Sequence, residues 1–187
     1  MFDWGPRQLS SEDELKGVQM RVYTKPAGLI GRFIGRALCF RIDDFSYFLN
    51  RKDGNLQRVE VEASSITPEC EVYCDAVRSE RVGLTFSEVA RLKRRLNMSV
   101  LDIARYPIAE FDVESDESDE MKGVLHFHGK SHPITCVKQI QARDLLVRCP
   151  ISMRKFNIPP YGIWLGLLSV ADEVDIETRV SLNALKL

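Results

Sequence analysis

The segment GVLHFHGKSHPITC, residues 123 to 136, holds all three histidines of the chain, His126, His128 and His132, and closes on Cys136. Two imidazoles at i and i+2 of a strand project side by side and can share a zinc ion. A catalytic zinc needs a third protein ligand and an open position. His132 could return across the hairpin, and Glu110 or Asp112 could come from a neighbouring strand. The other chemistry is a Cys136 nucleophile with His128 as base. The pattern argues against both. Leu125 and Phe127 alternate with His126 and His128, so an apolar pair facing the core sends the two histidines to solvent. Cys136 shares the inward face of Ile134. Neither an HExxH helix nor a GxSxG elbow is present. A metal-dependent enzyme using the His126/His128/His132 cluster is therefore the least favoured reading, and the expectation is no catalytic residue, no metal and no cofactor.

The elements around this segment are read from period-two alternation, the mark of half-buried strands. Leu38, Phe40 and Ile42 share a face in RALCFRID; Val59, Val61 and Ala63 do so in QRVEVEAS; Ala109, Phe111 and Val113 do so in IAEFDVES. Leu145, Val147, Cys149, Ile151 and Met153 alternate downstream, as do Val174, Ile176, Thr178, Val180 and Leu182. GVQMRVYT and HPITCVKQIQ are weaker strands, Asp53-Gly54 marks a hairpin, and SDESDEMKG and HGKSHP are connections. One stretch breaks the pattern: GLTFSEVARLKRRLN predicts a helix with a Thr85/Glu88 capping box, a Leu84/Val89 staple and a stripe of Phe86, Val89, Leu92 and Leu96. SVLDIARYP predicts a second short helix capped by Ser99 and ended at Tyr106-Pro107. Alternation with one wet and one dry face is antiparallel. The fold expected is all-β with one or two short helices, an eight-stranded antiparallel lipocalin-like β-barrel whose interior is filled or holds one small ligand.

Composition adds bounds. The chain has 187 residues, 44% hydrophobic and 28% charged, with net charge −1. That is one domain's worth of core, with no global attraction to nucleic acid. ESDESDE and RLKRR read as solvated charge runs. No window is apolar enough to span a membrane, and the N-terminus lacks the pattern of a signal peptide, so the expected location is cytoplasmic. The five cysteines then read as reduced thiols, with Cys39, Cys136 and Cys149 as small apolar residues and Cys70/Cys74 spaced too widely for a zinc knuckle.

Taken in order, several motifs resemble the YceI-like family. Gly123, Leu125, His128, Gly129 and Pro133 fit its hairpin; Leu101, Asp102, Tyr106, Pro107 and Phe111 fit the segment before it. VEVEASSI resembles a strand ending in an alanine-serine turn, and FNIPPYGIWLGLLSVADEVDIETRVSL resembles the closing segment. The likeness runs from about residue 18 to 182, which sets residues 1–17 apart as an extension and 18–187 as the barrel domain, with a helical excursion at about 84–106. It implies a lipocalin-like barrel, with a lipid tail inside in some members, and makes His128 part of a structural hairpin. Where relatives often carry a histidine, Arg36 stands here.

The function implied is a non-enzymatic carrier for an isoprenoid or other apolar, fatty-acid-like lipid. Its lumen would be lined by Leu38, Phe40, Ile42, Val59, Val61, Phe111, Val113, Leu125, Phe127, Val147, Ile151, Trp164, Val174 and Ile176. The alternative is a scaffold barrel with a filled core. The cluster Trp164, Leu165, Leu167 and Leu168 packs a barrel end, lines a mouth or makes a homodimer contact.

Overall fold

The computed structural model describes residues 6–10, 17–27, 36–74, 79–158, 162–163 and 168–182. Its strands are β1 (Arg7–Ser10), β2 (Val18–Ala27), β3 (Arg36–Ile42), β4 (Phe45–Leu49), β5 (Leu56–Glu62), β6 (Ile66–Cys74) and β7 (Ser79–Gly83). After one α-helix, α1 (Phe86–Arg95), come β8 (Ile108–Asp116), β9 (Glu120–Phe127), β10 (Lys130–Gln141), β11 (Asp144–Ser152), β12 (Gly162–Ile163) and β13 (Leu168–Ser181). All join one antiparallel sheet in the order β1-β4-β5-β8-β9-β10-β11-β13-β2-β3-β6-β7, with β12 on β13.

The sheet curls on itself. Met20 of β2 and Ile42 of β3 bury against Phe45, with Tyr47, Val59 and Val61 of β4 and β5 packed on them, although these strands stand far apart in the ladder. Asp43-Asp44 turns the corner between β3 and β4, where the Glu62 N–H donates to the Asp44 carbonyl at 3.1 Å. Among the described residues the result is a curled antiparallel half-barrel of 13 strands, a count that does not by itself mark out the eight-stranded barrel expected. The additions have physical causes. FSYFL in β4 has Ser46 as its one polar residue and no exposed position, so it shows no sustained alternation. Pro68 in β6 argues against a strand by sequence, yet here it sits at a bulge, where a missing N–H is tolerated.

The alternating strands form as their pattern dictates. Gly54, at φ +72°, lets the β4–β5 hairpin turn back, and its N–H donates to the Asn50 carbonyl. His128 and Gly129 are the two turn residues between β9 and β10, at φ +49° and +72°. Both positive angles are those of a type I′ turn, whose twist matches the strands it joins. Pro133 lies inside β10 opposite Val124, so the connection expected over HGKSHP shortens to the two turn residues. Gly123 is required by close approach: a Cβ there would meet the Asp112 carbonyl oxygen at 2.1 Å and the Phe111 ring at 2.8 Å.

The helix begins as its sequence signals. Thr85 accepts from the Glu88 N–H while the Glu88 carboxylate accepts from the Thr85 N–H. Phe86 departs from the expected stripe and is 89% exposed. The second helix does not form. A π-helical turn at Leu96–Val100 leads instead to Asp102 in a left-handed conformation, φ +45°, and a turn whose Arg105 and Tyr106 N–H groups donate to the Asp102 carbonyl. A further departure is covalent. Cys136 and Cys149 form a disulfide rather than remaining thiols, their Cα atoms 4.2 Å apart, because the β10–β11 register carried one step beyond the Val137–Arg148 pair brings them opposite one another.

Candidate functional site

Inside the curl lies a cavity of about 380 Å³, within the ~300–1,000 Å³ typical of small-molecule sites. Its wall is built by the alternation. Leu145, Val147, Cys149 and Ile151 come from β11, and Val174, Ile176, Thr178 and Val180 from β13; Phe111 of β8 faces Leu125 and Phe127 of β9. Leu38, Phe40, Ile42, Val59 and Val61 complete the positions expected from sequence. Val113 is not on the cavity wall; it packs against the core cluster around Leu125, Ile134 and Cys136. A register shift in the β8–β9 ladder between Val113 and Ser115 breaks the strand's simple alternation at that point. Trp164 lies outside the described residues.

Other wall residues were missed. Met20, Val22 and Thr24 of β2 alternate in GVQMRVYT, so the signal was present but faint. Tyr47 comes from the unalternating β4, and Leu92, Leu96, Val100 and Leu101 come from the helical segment. These last four place the excursion across one end of the cavity, where Leu101, Phe156 and Ile158 are almost fully buried. Lys93 fixes the helix there by donating to the carbonyls of Ser64 and Ile66. Lys93 thus departs from the solvated run expected of RLKRR, whereas Arg91, Arg94 and Arg95 are exposed. At the opposite ends of β8 and β10 the wall carries an ion pair, Lys138 Nζ to Asp116 Oδ1 at 2.7 Å. Burial holds the Tyr47 phenol well above the usual tyrosine range, and Thr178 partly opposes this.

The histidines do not converge. His128 Nδ1–H donates to the Phe156 carbonyl at 3.0 Å while its ring lies 4.3 Å from that of Tyr106. His132 Nε2–H donates to the Lys155 carbonyl at 2.8 Å, with its ring edge-on to Phe156. Both therefore tie the β9–β10 hairpin to the short 3-10 turn that follows β11. His126 points away from the cavity, with Nε2 3.1 Å from Asp112 Oδ2 and Nδ1 2.7 Å from Ser131 Oγ. Serine, histidine and aspartate are the residue types of a hydrolase relay. Here Arg58 already binds Asp112 at 2.6 Å, and none of the three residues lines the cavity. The trio laces the outer face of β8–β10.

Among the described residues no helix is long and apolar enough to cross a membrane. The YceI-like domain description matches residues 36–182. The crystal structure of BcnA from Burkholderia cenocepacia superposes with a TM-score of 0.51 at 14% identity, covering 87% of this chain and 94% of that one. That likeness is one of fold. No curated protein matches the chain.

Proposed function

Since the chain belongs to the YceI-like family, we propose that it is a non-enzymatic carrier of an isoprenoid or other apolar, lipid-like molecule held within the curled sheet. The observation that supports this reading is the cavity. It is walled by aliphatic and aromatic side chains, with its few charged groups confined to Arg95 and the Asp116–Lys138 pair. A filled core, which a purely structural barrel would have, leaves no such space. The proposed contacts are the wall residues Leu38, Phe40, Ile42, Val59, Val61, Phe111, Leu125, Phe127, Val147, Ile151, Val174 and Ile176. In its finer form the carrier is an eight-stranded barrel made of the consecutive ladder neighbours from β5 to β3, with Phe45 and Tyr47 of β4 covering the seam.

The energetics suit exchange. Each methylene moved from water to such a wall gains about 0.8 kcal/mol. A bilayer offers nearly the same, so the protein shields its cargo from water without trapping it. No catalytic group is needed for this.

Native mass spectrometry of the gently purified chain is the test. A stoichiometric apolar adduct, and its return after delipidation from vesicles doped with a polyprenyl lipid, is the expected result. A chain that carries no adduct and takes up none overturns the proposal. The same spectra report whether a second copy binds, as a homodimer contact at residues 164–168 would require. They also report the Cys136–Cys149 linkage. The cytoplasm expected from sequence would hold these two as thiols, whereas an oxidising compartment preserves the bond. The bond's state in the protein as isolated under thiol-blocking conditions decides between them.

A further inference from the structure

On the face of β3 and β6 turned away from the cavity there is a cluster that the carrier reading does not use. Cys39 is paired with Cys70 in the antiparallel register, while Phe40 is paired with Pro68. Glu69 is therefore the extra residue of a bulge. A bulge sets two consecutive residues of one strand against one of its partner, and this brings Glu69 beside both sulfurs. Both thiols are free and buried. The two Sγ atoms and a Glu69 carboxylate oxygen all lie within 4.8 Å of one another. Val72, Tyr23 and Ala37 pack around the pair of cysteines.

We propose that Cys39, Cys70 and Glu69 form a binding site for one soft divalent cation, with zinc the best fit. The donor set is two thiolates and one carboxylate, which suits zinc better than magnesium or calcium. The spacing also fits. Tetrahedral zinc with bonds of about 2.3 Å to sulfur and about 2.0 Å to oxygen sets a sulfur–oxygen edge of about 3.5 Å. Cys39 Sγ stands 3.5 Å from Glu69 Oε2.

The charges balance in both states. In the empty site two neutral thiols accompany the Glu69 carboxylate, which Arg21 neutralises through Nε at 2.8 Å and Nη2 at 3.3 Å. On loading, each thiol gives its proton to solvent as its sulfur bonds the metal. Two protons leave for one divalent cation, and the cluster with Arg21 remains neutral. Arg21, itself held by Gln19 at 2.7 Å, orients the ligating carboxylate from outside the coordination sphere. Access runs through the Glu69 side, where that side chain is 28% exposed.

Cobalt(II), titrated anaerobically into the full chain with the Cys136–Cys149 bond verified by mass, reads the site directly. The expected result is one cobalt per chain, with a thiolate charge-transfer band and tetrahedral d–d bands that stoichiometric zinc abolishes. Cys39→Ser and Cys70→Ser should remove the bands, and Glu69→Gln should weaken affinity at least tenfold. Cys74→Ser and the His126→Ala/His128→Ala pair should leave it unchanged. Glu69→Gln keeps both buried thiols, so it tests the site even if a cysteine variant fails to fold. A wild-type chain with no thiolate band overturns the proposal. So does a band that survives Cys39→Ser and Cys70→Ser, or one that depends on Cys74, or a Cys39–Cys70 disulfide forming in place of the metal complex.

Discussion

Lys93 of α1 donates to the Ile66 carbonyl across 2.7 Å, and to Thr67 Oγ1 at 3.1 Å. All of its acceptors lie where β5 passes into β6, so one side chain bolts the helix over the end of the cavity. Lys93→Met keeps the aliphatic reach and removes the donors. The expected loss is about 1.5–3 kcal/mol, the scale of hydrogen bonds made by a charged group. Amide exchange across Phe86–Arg95 should accelerate and bound cargo should dissociate faster. Unchanged protection of those amides would show that the helix is held by its apolar face alone.

The disulfide makes a separate prediction. Cys136 and Cys149 are 13 residues apart in sequence, and closing a loop of about that length removes roughly 3 kcal/mol of unfolded-chain entropy. The hairpin turn between β10 and β11 already limits that chain, so the expected cost of the Cys136→Ala/Cys149→Ala double change is about 1–3 kcal/mol. Urea unfolding with and without reductant measures it. A midpoint indifferent to reductant, with reduction confirmed by mass, would refute the assignment of stability to this bond.

Tyr47 gives an alkaline prediction. An unfolded tyrosine ionises near ~10, and burial holds this phenol's pKa well above that. Below pH ~10 both states keep the proton and nothing is lost. As pH rises further the unfolded chain releases it first, so stability falls, by up to about 1.36 kcal/mol per pH unit for one group. Tyr47→Phe should make the decline between pH 10 and pH 11 shallower. Some slope should remain, because burial also pushes Tyr23 up to about 12. Identical slopes for wild type and Tyr47→Phe would contradict a protonated, desolvated phenol.

Legibility followed physical simplicity. β11 and β13 bury one face and wet the other, so Val147, Ile151, Val174 and Ile176 declare their direction through their neighbours. The capping box of α1 is a local interaction over four residues and was readable for the same reason. β4 has no wet face to contrast with its dry one, and β6 hides behind Pro68. Phe86 continues the helical stripe in sequence yet lies beyond the neighbours that α1 meets in space. The Cys136–Cys149 bond and the Cys39/Glu69/Cys70 cluster arise from strand register, and a bulge of one residue decides which side chains share a face. No local pattern encodes that.

Ala109 offers the sharpest separation of cargo binding from folding. It is the small residue where β8 enters the cavity wall, paired with Val61 across the ladder. Ala109→Phe adds a ring that the empty space can accommodate, so the fold should keep its strand spectrum and stay within the ~1–3 kcal/mol cost of moderate overpacking. The ring then occupies volume that an apolar tail would fill. Uptake of a polyprenyl probe should fall at least tenfold, while uptake by Phe86→Ala, altered outside the cavity on the exposed start of α1, should not change. If Ala109→Phe folds and still binds as the parent does, the lumen is not where the cargo sits. Loss in both variants would instead place the cargo against the outer surface of the helix.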